Sequence, residues 1–258
     1  MIENTVLCDD LVTEHGLSFY IETETHNILF DMGLGDNFAS NAKKLGINLK
    51  AVDIAVLSHA HRDHSGGLKR FLELNPTAAV YVSANIFEPC YNVKGKYIGL
   101  DDDLKGNDRL IFVEDHLQID EELSLFSCNS NERPFGSNSF GQTVKRGEMF
   151  VPDPYLHEQY LVIREGEKTV LFSGCSHKGI LNIVHWFTPD ILIGGFHFSK
   201  VPPGEEGKYL LENSAKQLLQ YATKYYTGHC TGAEQYGILK KCMRAQLEYL
   251  HTGSVLYV

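Results

Sequence analysis

The sequence predicts an α/β fold, and three observations carry the prediction. Short apolar runs at 52–57, 79–82, 169–173 and 189–194 alternate with segments whose apolar residues recur at helical spacing. Each run is followed within three residues by glycine, asparagine or histidine, so the strands deliver the chain into loops that can carry chemistry. A chain of 258 residues with 43% hydrophobic content can bury one large core, and no stretch reads as a linker. The expectation is a single domain over residues 1–258 with a variable excursion at about 84–155.

The elements follow in order. Residues 5–7, 18–22 and 27–30 read as strands, with Thr23-Glu24-Thr25-His26 as a hairpin tip and Asp31-Met32-Gly33 as a break. Phe38, Ala42 and Leu45 share a helical face, and Gly46 ends that helix. The strand at 52–57 leads through a polar loop to a helix over 68–74, which Asn75-Pro76 stops before the strand at 79–82. A strand, helix, strand succession implies a right-handed crossover between parallel neighbours. The excursion holds strands at 110–113 and 123–127, and Asn131-Glu132-Arg133-Pro134-Phe135 suits either a wall of the site or a surface loop. Strands at 159–164 and 169–173, a helix around Ile180, Val184 and Trp186, and a strand at 189–194 follow. After a loop at 200–207, a helix is expected over 213–222 with Leu218, Leu219 and Ala222 inward. A strand before His229, a helix to about Arg244, and strand-like segments at 246–250 and 254–258 complete the chain.

The chemistry concentrates in Ser58-His59-Ala60-His61-Arg62-Asp63-His64-Ser65-Gly66-Gly67. Four residues able to bind a metal fall within six positions. In an extended segment alternate side chains share a face, so His59 and His61 can grip one ion. The turn that follows can aim Asp63 and His64 at a second. Imidazole and carboxylate suit zinc, iron or manganese, and few protein ligands per ion leave room for water and substrate. Further along, Gly194-Gly195-Phe196-His197 opens a strand into a glycine turn, so His197 is expected to bind substrate or to act as an acid or base.

These segments resemble the HxHxDH signature and accompanying motifs of the metallo-β-lactamase superfamily. Glu14-His15-Gly16-Leu17-Ser18-Phe19-Tyr20-Ile21, Leu29-Phe30-Asp31-Met32-Gly33, Gly174-Cys175-Ser176-His177, Gly194-Gly195-Phe196-His197 and His229-Cys230-Thr231-Gly232 are similar to one branch of it. That branch contains metal-dependent hydrolases related to the dihydropterin ribofuranosyl-aminobenzene phosphate synthases. The resemblance implies a four-layer αββα sandwich with two divalent metal ions at one edge, zinc foremost and iron or manganese open. It implies that Asp31 orients a ligand from behind, and that Cys175 stands where many members place a bridging aspartate. His177, with His157 as its competitor, would complete the ion held by His59 and His61. His229 would complete the ion held by Asp63 and His64, with the adjacent Cys230 turned away into packing.

The implied activity is hydrolysis of a small ester, phosphoester or lactone by hydroxide activated between two metal ions, with Asp63 orienting the nucleophile. Two alternatives stand beside it. One is a pterin-type condensing enzyme, and the other a metal-dependent sensor of small ligands without turnover.

The formal net charge of −10 argues against general affinity for nucleic acid or anionic membranes. No stretch approaches the roughly 18 apolar residues of a membrane span, and the first residues lack a secretory pattern. Six dispersed cysteines without a CxxC pair read as reduced thiols. A cytoplasmic protein with a small-molecule substrate, phosphorylated or not, is expected; oligomeric state is not legible.

Overall fold

The computed structural model describes residues 1–258 apart from Asn138, inside the excursion, and Pro203, inside the loop expected at 200–207. Strands β1 (Phe19–Glu22) and β2 (Asn27–Phe30) form a hairpin with Phe19 opposite Phe30. Helix α1 (Asn37–Lys44) buries Phe38 and Ala42, and Gly46 follows its end at φ 76°, a conformation glycine adopts without strain. Then come β3 (Ile54–Val56), the one-turn helix α2 (Arg62–Ser65), α3 (Leu68–Leu74) and β4 (Ala79–Ser83). β3 and β4 pair in parallel, as the crossover requires.

Residues 84–155 are not one insertion. They contain β5 (Cys90–Tyr91), β6 (Leu110–Val113), β7 (His116–Gln118), β8 (Leu123–Phe126), β9 (Thr143–Arg146) and β10 (Met149–Pro152). The second half adds β11 (Tyr160–Glu165), β12 (Lys168–Ser173), α4 (Ile180–Phe187), β13 (Ile191–Gly194), α5 (Glu205–Leu218), β14 (Lys224–Thr227), α6 (Ala233–Met243) and β15 (Leu247–Tyr249).

Two large sheets result. One has the order β1-β2-β3-β4-β6 and the other β15-β14-β13-β12-β11-β8-β7, while β10-β9-β5 make a small third sheet. The excursion thus supplies the passage from the first sheet to the second. Side-chain alternation explains the layering. Ile28, Phe30, Ile54 and Val56 of the first sheet meet Leu125, Leu161, Val170 and Phe172 of the second in a core between them. Their neighbours Leu29 and Ala55 point outward onto Phe38 and Phe71 of α1 and α3. Leu171 and Leu192 point outward onto Ile183, Leu211 and Leu239 of α4, α5 and α6. The architecture is a four-layer αββα sandwich.

Three expected elements differ. Residues 5–7 form no strand: Val6 makes only an isolated bridge to Thr252, and residues 254–258 are irregular. Helix α5 starts at Glu205, earlier than expected: its inward stripe already runs through Gly207 and Leu211, but glycine adds no apolar side chain to it and the exposed Tyr209 and Leu210 blur its period. It stops before Leu219, which is exposed and not inward.

Candidate metal centre

β2 and β3 pair in parallel in the first sheet, and β12, β13 and β14 pair in parallel in the second, so within each sheet these strands end on the same edge. Asp31 follows β2, His59 to His64 follow β3, Cys175 and His177 follow β12, His197 follows β13, and His229 follows β14. The two sheets therefore bring seven candidate donors together from sequence positions up to 170 residues apart.

Asp31 organises the first group. Held at φ 57° and fully buried, it accepts from the Ser58 backbone N–H at 2.8 Å and from Ser58 Oγ at 2.7 Å. It also meets His64 Nδ1 at 2.7 Å. Because the Ser58 hydroxyl proton goes to Asp31, its oxygen accepts from His59 Nδ1, 2.8 Å away. One carboxylate thus fixes the orientation of both rings and directs Nε2 of His59 and of His64 toward the other donors, where each can bind an ion once unprotonated.

Those nitrogens face other ring nitrogens. His59 Nε2 lies 3.3 Å from His177 Nε2, and His61 joins them with donor atoms within 4.8 Å. Burial, together with the neighbouring histidines, holds His59 and His177 well below the ordinary imidazole range, and burial lowers His61 to about 3. His64 Nε2 stands 3.2 Å from His229 Nε2 and 3.1 Å from Cys175 Sγ, while His229 Nδ1 donates to Asn4 Oδ1 at 2.9 Å. Asp63 Oδ2 is 3.3 Å from His229 Nε2. Lone pairs converging at such distances in a buried site repel unless a cation lies between them. The donor set of imidazoles, one carboxylate and a thiol fits divalent zinc or iron.

The ligand arms are braced from behind. Glu158 accepts from the backbone N–H of His177 at 2.7 Å and of Lys178 at 2.9 Å, which fixes the loop after β12. The buried Lys178 ammonium donates to the carbonyls of Ser127 and Glu158. Glu3 Oε1 accepts from His229 N–H at 2.6 Å, so the first residues of the chain hold the last donor. Gly174 lets the β12 loop approach the β3 loop: a Cβ there would lie 2.1 Å from Ser58 Oγ.

The sequence-expected donors fall into place as two neighbouring sets. His59, His61 and His177 form one, and Asp63, His64 and His229 the other, with Cys175 beside His59 and His64. His157 sits on the far side of His61, in a third buried group with His61, Cys90 and Asp153 whose donor atoms also lie within 4.8 Å of one another. Its Nδ1 accepts from Ala60 N–H at 3.3 Å and its Nε2 meets Asp153 at 3.2 Å, next to Cys90.

Cys230 corrects an expectation. It was expected to point away, yet its thiol shares a space with Cys175 and His197, all donors within 4.8 Å. The reason is local: His229 takes φ 48° and starts a 3-10 turn over His229–Thr231, so strand alternation no longer applies. Although burial opposes it, the adjacent Cys175 and His197 hold the Cys230 thiol well below its usual range, while burial and Cys230 push Cys175 up. His197 stands with its ring 4.2 Å from that of His177 and neither ring nitrogen hydrogen-bonded to a described residue. His15 was not among the expected site residues; its Nε2 is 3.4 Å from Asp63 and its ring is tilted against that of His229 with centroids 4.8 Å apart. Its signal in the sequence is the motif Glu14-His15-Gly16 just before β1.

Fold and donors together define an αββα protein with a divalent-metal centre at the shared edge of its two sheets. The sequence pattern of the metallo-β-lactamase superfamily matches residues 12–229, and the chain belongs to that superfamily. It is 27% identical over 277 aligned residues to the 7,8-dihydropterin-6-methyl-4-(β-D-ribofuranosyl)-aminobenzene-5'-phosphate synthase of Methanocaldococcus jannaschii, spanning 95% of this chain and 90% of the relative. The crystal structure of a metal-dependent hydrolase of the β-lactamase superfamily superposes with a TM-score of 0.82 at 27% identity, covering 100% of this chain and 96% of that one. The metallo-β-lactamase fold protein YhfI from Bacillus subtilis shares the fold, with a TM-score of 0.53 at 12% identity over 93% of this chain and 91% of that one.

Proposed function

We propose that this chain is a cytoplasmic metal-dependent hydrolase of a small ester, phosphoester or lactone, working as one domain with two divalent ions, zinc foremost. The observation that carries this reading is the pair of adjacent donor sets whose imidazole nitrogens converge to 3.2–3.3 Å and which open, past His177 and His197, into a cavity of about 600 Å³. His59, His61 and His177 would hold one ion, and Asp63, His64 and His229 the other, with Cys175 between them. Such ions, when bound, polarise a carbonyl or phosphoryl group and make water acidic enough to attack near neutral pH.

The chain's own residues supply the rest. His64 and His229 keep Asp63 ionised far below the usual carboxylate range, although its surroundings are desolvated. An ionised Asp63 accepts a hydrogen bond from the attacking water and orients it. His197, its ring nitrogens not hydrogen-bonded to a described residue, donates a proton to the departing oxygen. Asp31 and Glu158 hold the donors still.

Elemental analysis of purified protein, with a chelator-controlled screen of ester, lactone and phosphoester substrates, tests the reading. About two ions per chain and chelator-sensitive turnover support it, and His59→Ala and Asp63→Ala should each fold but lose metal and more than about 100-fold in rate. Full activity in both variants would overturn it. A second reading has one specific support, the 27% identity over 95% of the chain with the phosphate synthase. Metal without hydrolysis, but with condensation of a pterin and a phosphorylated aminobenzene, would favour that alternative.

A further inference from the structure

We infer that the cavity beside His177 and His197 receives an apolar, uncharged arm of the substrate and disfavours a phosphorylated one. This deepens the hydrolase reading and rests on it for the bond that is cleaved, not for what the cavity binds. The cavity, about 600 Å³, lies between Phe135, Gly136, Ser137 and Phe140, the start of α4, the loop after β13, and α5. Phe135, Phe140, Ile180, Leu181, Phe196 and Phe198 give it aromatic and aliphatic walls. No lysine or arginine is among its described lining residues. Apart from the two histidines at the metal end, Glu206 is the one ionisable group among them, contributed by the first turn of α5.

Three physical consequences follow. Away from the metal end, a phosphate or carboxylate would find no lysine or arginine among the described lining residues, and it would meet the Glu206 carboxylate; the N-terminus of α5 is already answered by Glu205 and Glu206. An apolar group, in contrast, would cover surface now left to water: Phe135 is 42% exposed and Leu210, at the same mouth, 45%. The walls are also built in advance. Asn182 of α4 accepts from Phe135 N–H at 3.0 Å and donates to Gly136 O at 2.7 Å, and His177 stacks on Tyr155 with ring centroids 4.4 Å apart. The cavity is therefore a preformed, mostly apolar site continuous with the donor edge, as small-molecule sites usually are.

The test uses metal-loaded protein and trifluoroethyl esters of acetic, phenylacetic and para-phosphonophenylacetic acid, whose leaving group is small and constant. An aryl arm that buries roughly 100 Å² should raise kcat/KM by about 50-fold over acetate after correction for intrinsic reactivity. The phosphonate arm should fall at least about 10-fold below the phenyl arm, and Glu206→Lys should narrow that gap. Leu181→Asp, with fold and metal content checked, should reduce the preference for phenyl over acetate. Calorimetry with phenylacetamide and its phosphonate analogue reads arm binding without turnover. Tighter binding of the neutral amide with no ester hydrolysed would uphold the cavity assignment and sink the hydrolase reading. Equal or better binding and turnover of the phosphonate arm would overturn the cavity assignment, as would failure of both amides to bind.

Discussion

Asp31 is the residue on which the donor geometry turns, because its two oxygens orient the rings of His59 and His64 together. Its charge has a measurable price in the metal-free protein. Burial opposes protonation of His64, but Asp31 and Asp63 outweigh it and raise the imidazole to about 9. A raised pKa stabilises the fold fully below the unfolded value near 6.5 and loses that contribution as pH climbs through 9, about 3 kcal/mol in all. The metal-free protein should accordingly unfold at lower denaturant concentration above pH 9 than near pH 6, and Asp31→Asn should flatten that difference. Calorimetry of metal binding at neutral pH should show proton release, since an ion must displace the His64 proton. At this scale the sequence was legible where spacing dictates direction: His59, His61, Asp63 and His64 converge as strand geometry requires. Cys230 was not, because direction there depends on the positive φ of His229, which residue types do not announce. Replacing Cys175 by Ser should weaken affinity for zinc by about 10-fold or more, and an unchanged competition titration would remove it from the donor set.

Among the elements, the loops after β3 and β12 depend on each other. The Cβ in Gly174→Ala would collide with Ser58 Oγ and come within 3.1 Å of His59 Nδ1, so the variant should keep its circular dichroism yet lose metal affinity by about 10-fold to 100-fold. The apolar runs that became β2, β3, β4, β12 and β13 were readable because each alternates between two buried faces and ends in a turn signal. Short strands such as β5 and β9 were not, since two to four residues of mixed polarity carry no period, and only pairing across sequence defines them. The early start of α5 escaped for a related reason. Its inward stripe opens with Gly207, which has no side chain, and the exposed apolar Tyr209 and Leu210 beside the buried Leu211 blur the helical period.

In the molecule as a whole, the centre joins two sheets that otherwise meet through the apolar core between them. His59, His61, Asp63 and His64 come from the first sheet, and Cys175, His177 and His229 from the second. An ion at about 1,000 times its dissociation constant would add about 4 kcal/mol, so chelation should lower Tm by roughly 10 °C, which differential scanning calorimetry with and without chelator would measure. The αββα plan was legible from alternation plus the resemblance, whereas the passage of the chain between sheets through residues 84–155 was not, because its pairings are long-range.

The clamp of Glu3 and Asn4 on His229 also makes the second donor set depend on two segments about 225 positions apart. The set of His59, His61 and His177 needs neither of them. Loss of residues 3–4 should therefore loosen the imidazole that faces His64 and leave the His59, His61 and His177 set in place, so the two donor sets can be weakened separately.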